Sequence, residues 1–168
     1  MRSPTSRVLN RFSAHLPLKT TDRTLVVLKG HLLIEEMLRE FVSKHFHDRQ
    51  QLADARLTFY QCLCLARAID ADPLREKLWR TVEKLNTLRN KLAHSLEPRE
   101  LEKHIKEFVE MQSDFDPVEP FADKEEQFGA LAACILGMCL ALSHAVDPPN
   151  FGNHSGGTHE APAVPPDA

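Results

Sequence analysis

The stretch DPLREKLWRTVEKLNTLRNKLAH, residues 72–94, decides the fold. Asp72 can accept a hydrogen bond from the first turn of a helix, and Pro73 suits the first helical position, where a missing N–H costs nothing. Beyond them Leu74, Leu78, Val82, Leu85, Leu88 and Leu92 recur at spacings of three and four, which predicts a helix with one apolar side. Trp79, Glu83, Asn86, Asn90 and His94 follow a second, mostly polar path, with Trp79 read as core. Pro98 removes a backbone donor and biases Glu97 away from helical angles, so the helix ends soon after His94.

Similar patterns flank this helix. Thr21 or Asp22 caps a long helix through about Phe46, in which Thr24, Leu28, His31, Glu35, Leu38 and Val42 share a stripe. His31 and Glu35, one turn apart, either bond to each other as a buried pair or leave Glu35 to hold Arg89 or His94. A helix from about Leu52 to Asp70 turns Leu57, Tyr60 and Cys64 inward, Tyr60 as a core residue. Another from about Pro98 to Gln112 buries Leu101, Ile105 and Phe108 and leaves His104 exposed. The acidic, proline-containing link from Ser113 to Glu126 reads as a loop.

Residues 128–146 contain no formally charged side chain. That run is long enough to span a bilayer, but Ala, Gly and Cys dominate it, and its flanks carry acidic residues and prolines instead of basic or aromatic anchors. Gly129, Ala133, Gly137 and Ala141 make a small-residue face that admits another helix closely. The reading is a buried fifth helix, in the core or at a dimer interface, and no membrane partner. Residues 1–21 read as a flexible arm, 22–146 as one helical domain, and 147–168, with five prolines and three glycines, as a disordered tail.

Composition agrees with that division. A chain of 168 residues with 42% hydrophobic content suits one domain, and six glycines and one tyrosine amid many Leu, Ala, Glu, Lys and Arg favour helices. The fold class is therefore all-α, an up-and-down bundle of four to five helices. A net charge of −3 argues against indiscriminate nucleic-acid binding through a wholly basic surface. The average hides an asymmetry: residues 1–109 carry 20 Lys and Arg against 14 Asp and Glu, or +6, and residues 110–168 carry one against ten, or −9. Phosphate contact is plausible in the helical region around Arg89.

Cys62 and Cys64, two apart on a helix, and Cys134 and Cys139, five apart in an apolar run, have no zinc-ligand spacing and read as buried thiols. No metal or other cofactor is expected. The N-terminus has arginines and no apolar block, so it does not read as a secretory signal, and a cytoplasmic location is the default expectation.

Arg89, Asn90 and His94 carry the chemistry. A metal-free ribonuclease must take a proton from a ribose 2′-hydroxyl, tolerate extra charge on phosphorus and protonate the departing 5′-oxygen. Histidine serves as base or acid near neutrality, and the arginine fork matches phosphate oxygens. Asn90 and His94, four apart, share a helix face, so the amide can orient the imidazole. The same residues also fit a solvated helix end, where His94 complements the C-terminal dipole.

Helices ending in an Arg-Asn-x-x-x-His sequence resemble the HEPN superfamily, with the likeness covering about residues 22–146 and sharp only at Arg89, Asn90 and His94. Lys29 to Phe41 also looks like the first long helix of small bacterial HEPN-type proteins. The resemblance implies a metal-independent endoribonuclease in a toxin–antitoxin or phage-defence setting, acting on RNA such as tRNA or mRNA. It further implies a homodimer that joins two Arg and His sets, and an antitoxin protein as partner. Arg89 would stabilise the transition state, Asn90 orient His94, and His94 transfer protons, with Glu35, His31 and Asn86 in support. Members controlled by a nucleotidyltransferase carry a tyrosine two positions after the histidine, and here that position is Leu96. The alternative is a non-enzymatic regulatory or protein-interaction protein similar to the mannitol operon repressor.

Overall fold

The computed structural model describes residues 4–16, 22–70, 72–94, 101–113 and 124–146. These residues form a helical bundle without strands: α1 (Pro4–His15), α2 (Arg23–Lys44), α3 (Arg49–Asp54), α4 (Phe59–Ile69), a 3₁₀ turn (Pro73–Arg75), α5 (Glu76–His94), α6 (Leu101–Ser113) and α7 (Lys124–Val146). The all-α reading holds, with seven helices among the described residues in place of four to five. The tail expected from residue 147 lies outside the described residues, as does most of the expected acidic loop.

Helix α2 is the central element. Asp22 accepts a hydrogen bond from the Leu25 backbone N–H at 3.1 Å, which starts the helix where the sequence places its cap. Ten of its residues are buried, among them Val26, Ile34, Leu38 and Phe41. This arc is wider than the single expected stripe, because α7 covers one side of α2 while α4 and α5 cover another. The approach of α7 depends on Gly30, where an added Cβ would stand 2.5 Å from Ile135 Cδ1.

The expected loose arm is corrected over residues 4–16. Val8, Phe12 and Leu16 recur every four residues and are buried, fastening α1 onto α7 and α2. Their spacing makes one apolar face, which the basic and polar residues between them obscured.

The single helix expected over Leu52–Asp70 is also two. Arg56 adopts φ 47, a left-handed conformation that ends α3, and Thr58 begins α4 with a reciprocal capping box to Gln61. The restart sets a new phase. Phe59, Cys62, Leu63 and Ala66 face the core, Cys64 is exposed, and Tyr60 is 57% exposed instead of buried.

Helix α5 follows the sequence reading more closely. Asp72 caps the turn through Leu74 N–H at 3.0 Å, and Leu78, Val82, Leu85, Leu88 and Leu92 are buried. Leu74 is 85% exposed, because it lies in the 3₁₀ turn, whose tighter winding is out of phase with the stripe beyond it. Trp79 is buried as expected, and its indole N–H donates to Asp70 Oδ2 at 2.9 Å.

On α6, Ile105 and Phe108 are buried, joined by Val109. Helix α7 is only half a core helix: Leu131, Ile135, Met138, Cys139 and Leu142 face inward, whereas Gly129, Ala133 and Gly137 are exposed. The small-residue face therefore points away from the core. Gly129–Val146 is long and apolar enough to cross a membrane by length and composition, and its inward side completes the bundle.

Candidate functional site

Helix α5 carries the candidate residues in its last two and a half turns. Arg89 and Asn90 are both half-buried, and Arg89 Nη1 donates to Asn90 Oδ1 at 3.1 Å. Among the described residues no carboxylate pairs with Arg89. Its partner among the described residues is thus a neutral amide. The Asn90 oxygen serves Arg89, and the expected contact of Asn90 with His94 falls on a side chain outside the described residues. His94 closes α5 as its last residue, and its side chain lies outside the described residues.

The supporting residues form a chain one turn deeper. The Asn86 amide oxygen accepts a hydrogen bond from His31 Nε2 at 3.1 Å, joining α5 to α2. The His31 ring stacks on Phe59 of α4 with centroids 4.5 Å apart, so three helices enclose it. Burial pushes the imidazole below its usual range, and the Arg89 charge pushes the same way. The bond to Asn86 and the Glu35 carboxylate oppose the shift without cancelling it. His31 thus sits within the field of Arg89, as a neutral ring.

Glu35 completes the chain in an unexpected direction. It is 3.9 Å from His31 Nδ1, beyond hydrogen-bond reach, and accepts from Arg39 Nη2 at 2.7 Å. Arg39 in turn donates to the Leu57 carbonyl at 2.8 Å, tying α2 to the segment before α4. The carboxylate considered as a holder of Arg89 or His94 therefore braces the α3–α4 connection. Arg39 was missed, although its i+4 spacing from Glu35 on a helix was a readable signal.

A second polar cluster joins α5 to α6. Lys91 Nζ donates to His104 Nε2 at 2.8 Å, His104 Nδ1 lies 3.4 Å from Glu107 Oε2, and Lys84 Nζ lies 3.6 Å from the same oxygen. The contact with His104 holds the Glu107 carboxyl below the usual range, with Lys84 and Lys103 adding to the effect. The His104 side chain is 15% exposed, so it is not the surface passenger the sequence suggested. The i,i+3 spacing of His104 and Glu107 was visible in sequence, but their approach to Lys91 was not.

Among the described residues no three His, Cys, Asp or Glu side chains converge as metal ligands. What the site offers is a cation with no paired carboxylate among the described residues, the Asn90 amide bonded to it, and a histidine position at the helix end. The chain matches no protein-family model, no curated protein and no solved structure.

Proposed function

We propose that the protein is a metal-independent endoribonuclease of HEPN type, in a toxin–antitoxin or phage-defence setting. The observation that carries the reading is Arg89: half-buried, hydrogen-bonded to Asn90, and paired with no carboxylate among the described residues, five positions before His94. A guanidinium so placed is suited to a phosphate that gains charge during cleavage. In the reaction the ribose 2′-oxygen loses its proton to a base and attacks phosphorus. The bond to the 5′-oxygen breaks as that atom takes a proton, leaving a 2′,3′-cyclic phosphate. His94 supplies proton transfer, and a second copy in a homodimer supplies the complementary role.

The test is incubation of end-labelled total RNA and tRNA with purified protein in EDTA, beside Arg89→Ala and His94→Ala. Discrete products with cyclic phosphate ends from the wild type alone support the reading, and intact RNA with folded protein overturns it. The outward face of α7, with Gly129, Ala133 and Gly137 exposed and no charge along Gly129–Val146, favours a second reading as a regulatory or interaction protein. Under that reading the two substitutions change partner binding and no RNA is cut.

A further inference from the structure

We propose that the seam between α5 and α6 is a backbone-phosphate subsite for single-stranded RNA, formed by Lys91 and His104 beside Glu107. The inference rests on the reading of this protein as one that handles RNA. Lys91 Nζ stands 2.8 Å from His104 Nε2 and 3.4 Å from Nδ1, close to both ring nitrogens, and Nδ1 is also 3.4 Å from Glu107 Oε2. The ring is thus held between a cation and a carboxylate.

Charge explains why an anion belongs there. The two helices carry seven Lys and Arg against five Glu, and Lys84 shares the Glu107 oxygen that faces His104. Among the described residues Lys91 has His104 as its partner and no carboxylate. It is exposed, whereas the imidazole beneath it is mostly enclosed. A phosphate oxygen arriving at the seam accepts from Nζ.

The register of α5 connects this seam to the candidate site. At about 100° per residue, positions 90, 94 and 91 fall in that order within an arc of about 100°. Position 89 lies on the other side of position 90. A strand crossing the end of α5 therefore meets position 94 between an amide and the Lys91 subsite, which would bind a phosphate next to the scissile one.

The experiment uses a fluorescent 2′-O-methyl RNA decamer, which lacks the attacking hydroxyl and stays intact, with the full chain, Lys91→Ala and His104→Gln. Loss of one charge-assisted contact weakens binding about tenfold. For Lys91→Ala the slope of log affinity against log salt falls by about 0.7, the value of one single-strand phosphate contact. In the wild type, the His104 ring resonances move as the decamer is added, a readout that needs no variant to fold. Unchanged affinity and slope for folded Lys91→Ala, His104 resonances that do not move, or no decamer binding each overturn the subsite. Binding through Lys91 with no cleavage of ordinary RNA sinks the ribonuclease reading alone. Cleavage with the decamer indifferent to Lys91 sinks the subsite alone.

Discussion

His31 on α2 donates its Nε2 proton to the Asn86 oxygen on α5 at 3.1 Å, within a ring cage closed by Phe59. This bond fastens the candidate site's helix to the centre of the bundle. Removing the acceptor by Asn86→Ala leaves a buried donor unpaired, at a cost of about 1–3 kcal/mol, read by urea unfolding at pH 8. The pH dependence has a definite sign. Burial holds the folded-state value of His31 below its ordinary 6.5, so the unfolded chain binds the proton more readily. His31's contribution is whole above pH 6.5 and is lost as the pH falls below it toward the folded-state value. His31→Gln flattens that part of the profile, and an unchanged profile refutes the assignment.

Gly30 and Ile135 set the spacing of α2 and α7. Gly30→Ala gains about 1 kcal/mol of helix propensity but forces a Cβ into Ile135 Cδ1, and overpacking of this kind costs about 1–3 kcal/mol. The variant is expected to melt lower than the wild type. Ile135→Val deletes the clashing atom, so the double variant should be more stable than the sum of the two single effects. Simple additivity in thermal unfolding would show that the helices do not meet there.

Asp70 joins Trp79 and Arg75. Its carboxylate accepts from the indole N–H at 2.9 Å and from Arg75 Nη1 at 3.0 Å, with its side chain 5% exposed. Asp70→Ala strands the buried indole donor and should cost about 1–3 kcal/mol. Asp70→Asn keeps an acceptor and should cost less. The two midpoints in urea, compared at equal m-value, decide the matter.

The four thiols should react in two classes. Burial pushes Cys134 and Cys139 up to about 12 and raises Cys62, while Cys64 is exposed. A maleimide at neutral pH should modify one thiol per folded chain, mapped to Cys64, and all four in urea. Fast native labelling at Cys134 or Cys139 would mean that α7 opens readily.

If the chain cuts RNA, Arg89→Ala should lower turnover by about 10²–10³, the loss seen when one transition-state donor is removed. Arg89→Lys should restore little, since an ammonium cannot present the planar fork. His94→Ala should lose about 10²–10⁴. Because Arg89 has no ion pair among the described residues, its loss should leave the far-ultraviolet circular dichroism unchanged. Full activity in Arg89→Ala would remove it from the site.

The legible parts of the fold are those in which neighbours along the chain carry the information. Asp22 and Asp72 cap where their sequence positions place them, and the leucines of α5 from Leu78 onward are buried at helical spacing. The break before α4 was equally local, since Thr58 and Gln61 stand at capping-box spacing, but the apolar pattern through Leu57 and Tyr60 hid it. Of the candidate site, Arg89 and Asn90 were read from sequence, and their mutual bond is a contact between adjacent residues.

By itself the sequence determined the helical class, the caps, and the order of charge and chemistry along α5, because these follow from propensity and periods of three to four residues. Only the tertiary structure decided which partner each polar group takes and which side of α7 faces the core. Glu35 turns to Arg39, Asn86 to His31, and Lys91 to His104, while Gly129, Ala133 and Gly137 face outward. Helical spacing puts a side chain on a face, but what lies opposite that face depends on how the helices pack, and packing brings together residues as far apart in sequence as His31 and Asn86.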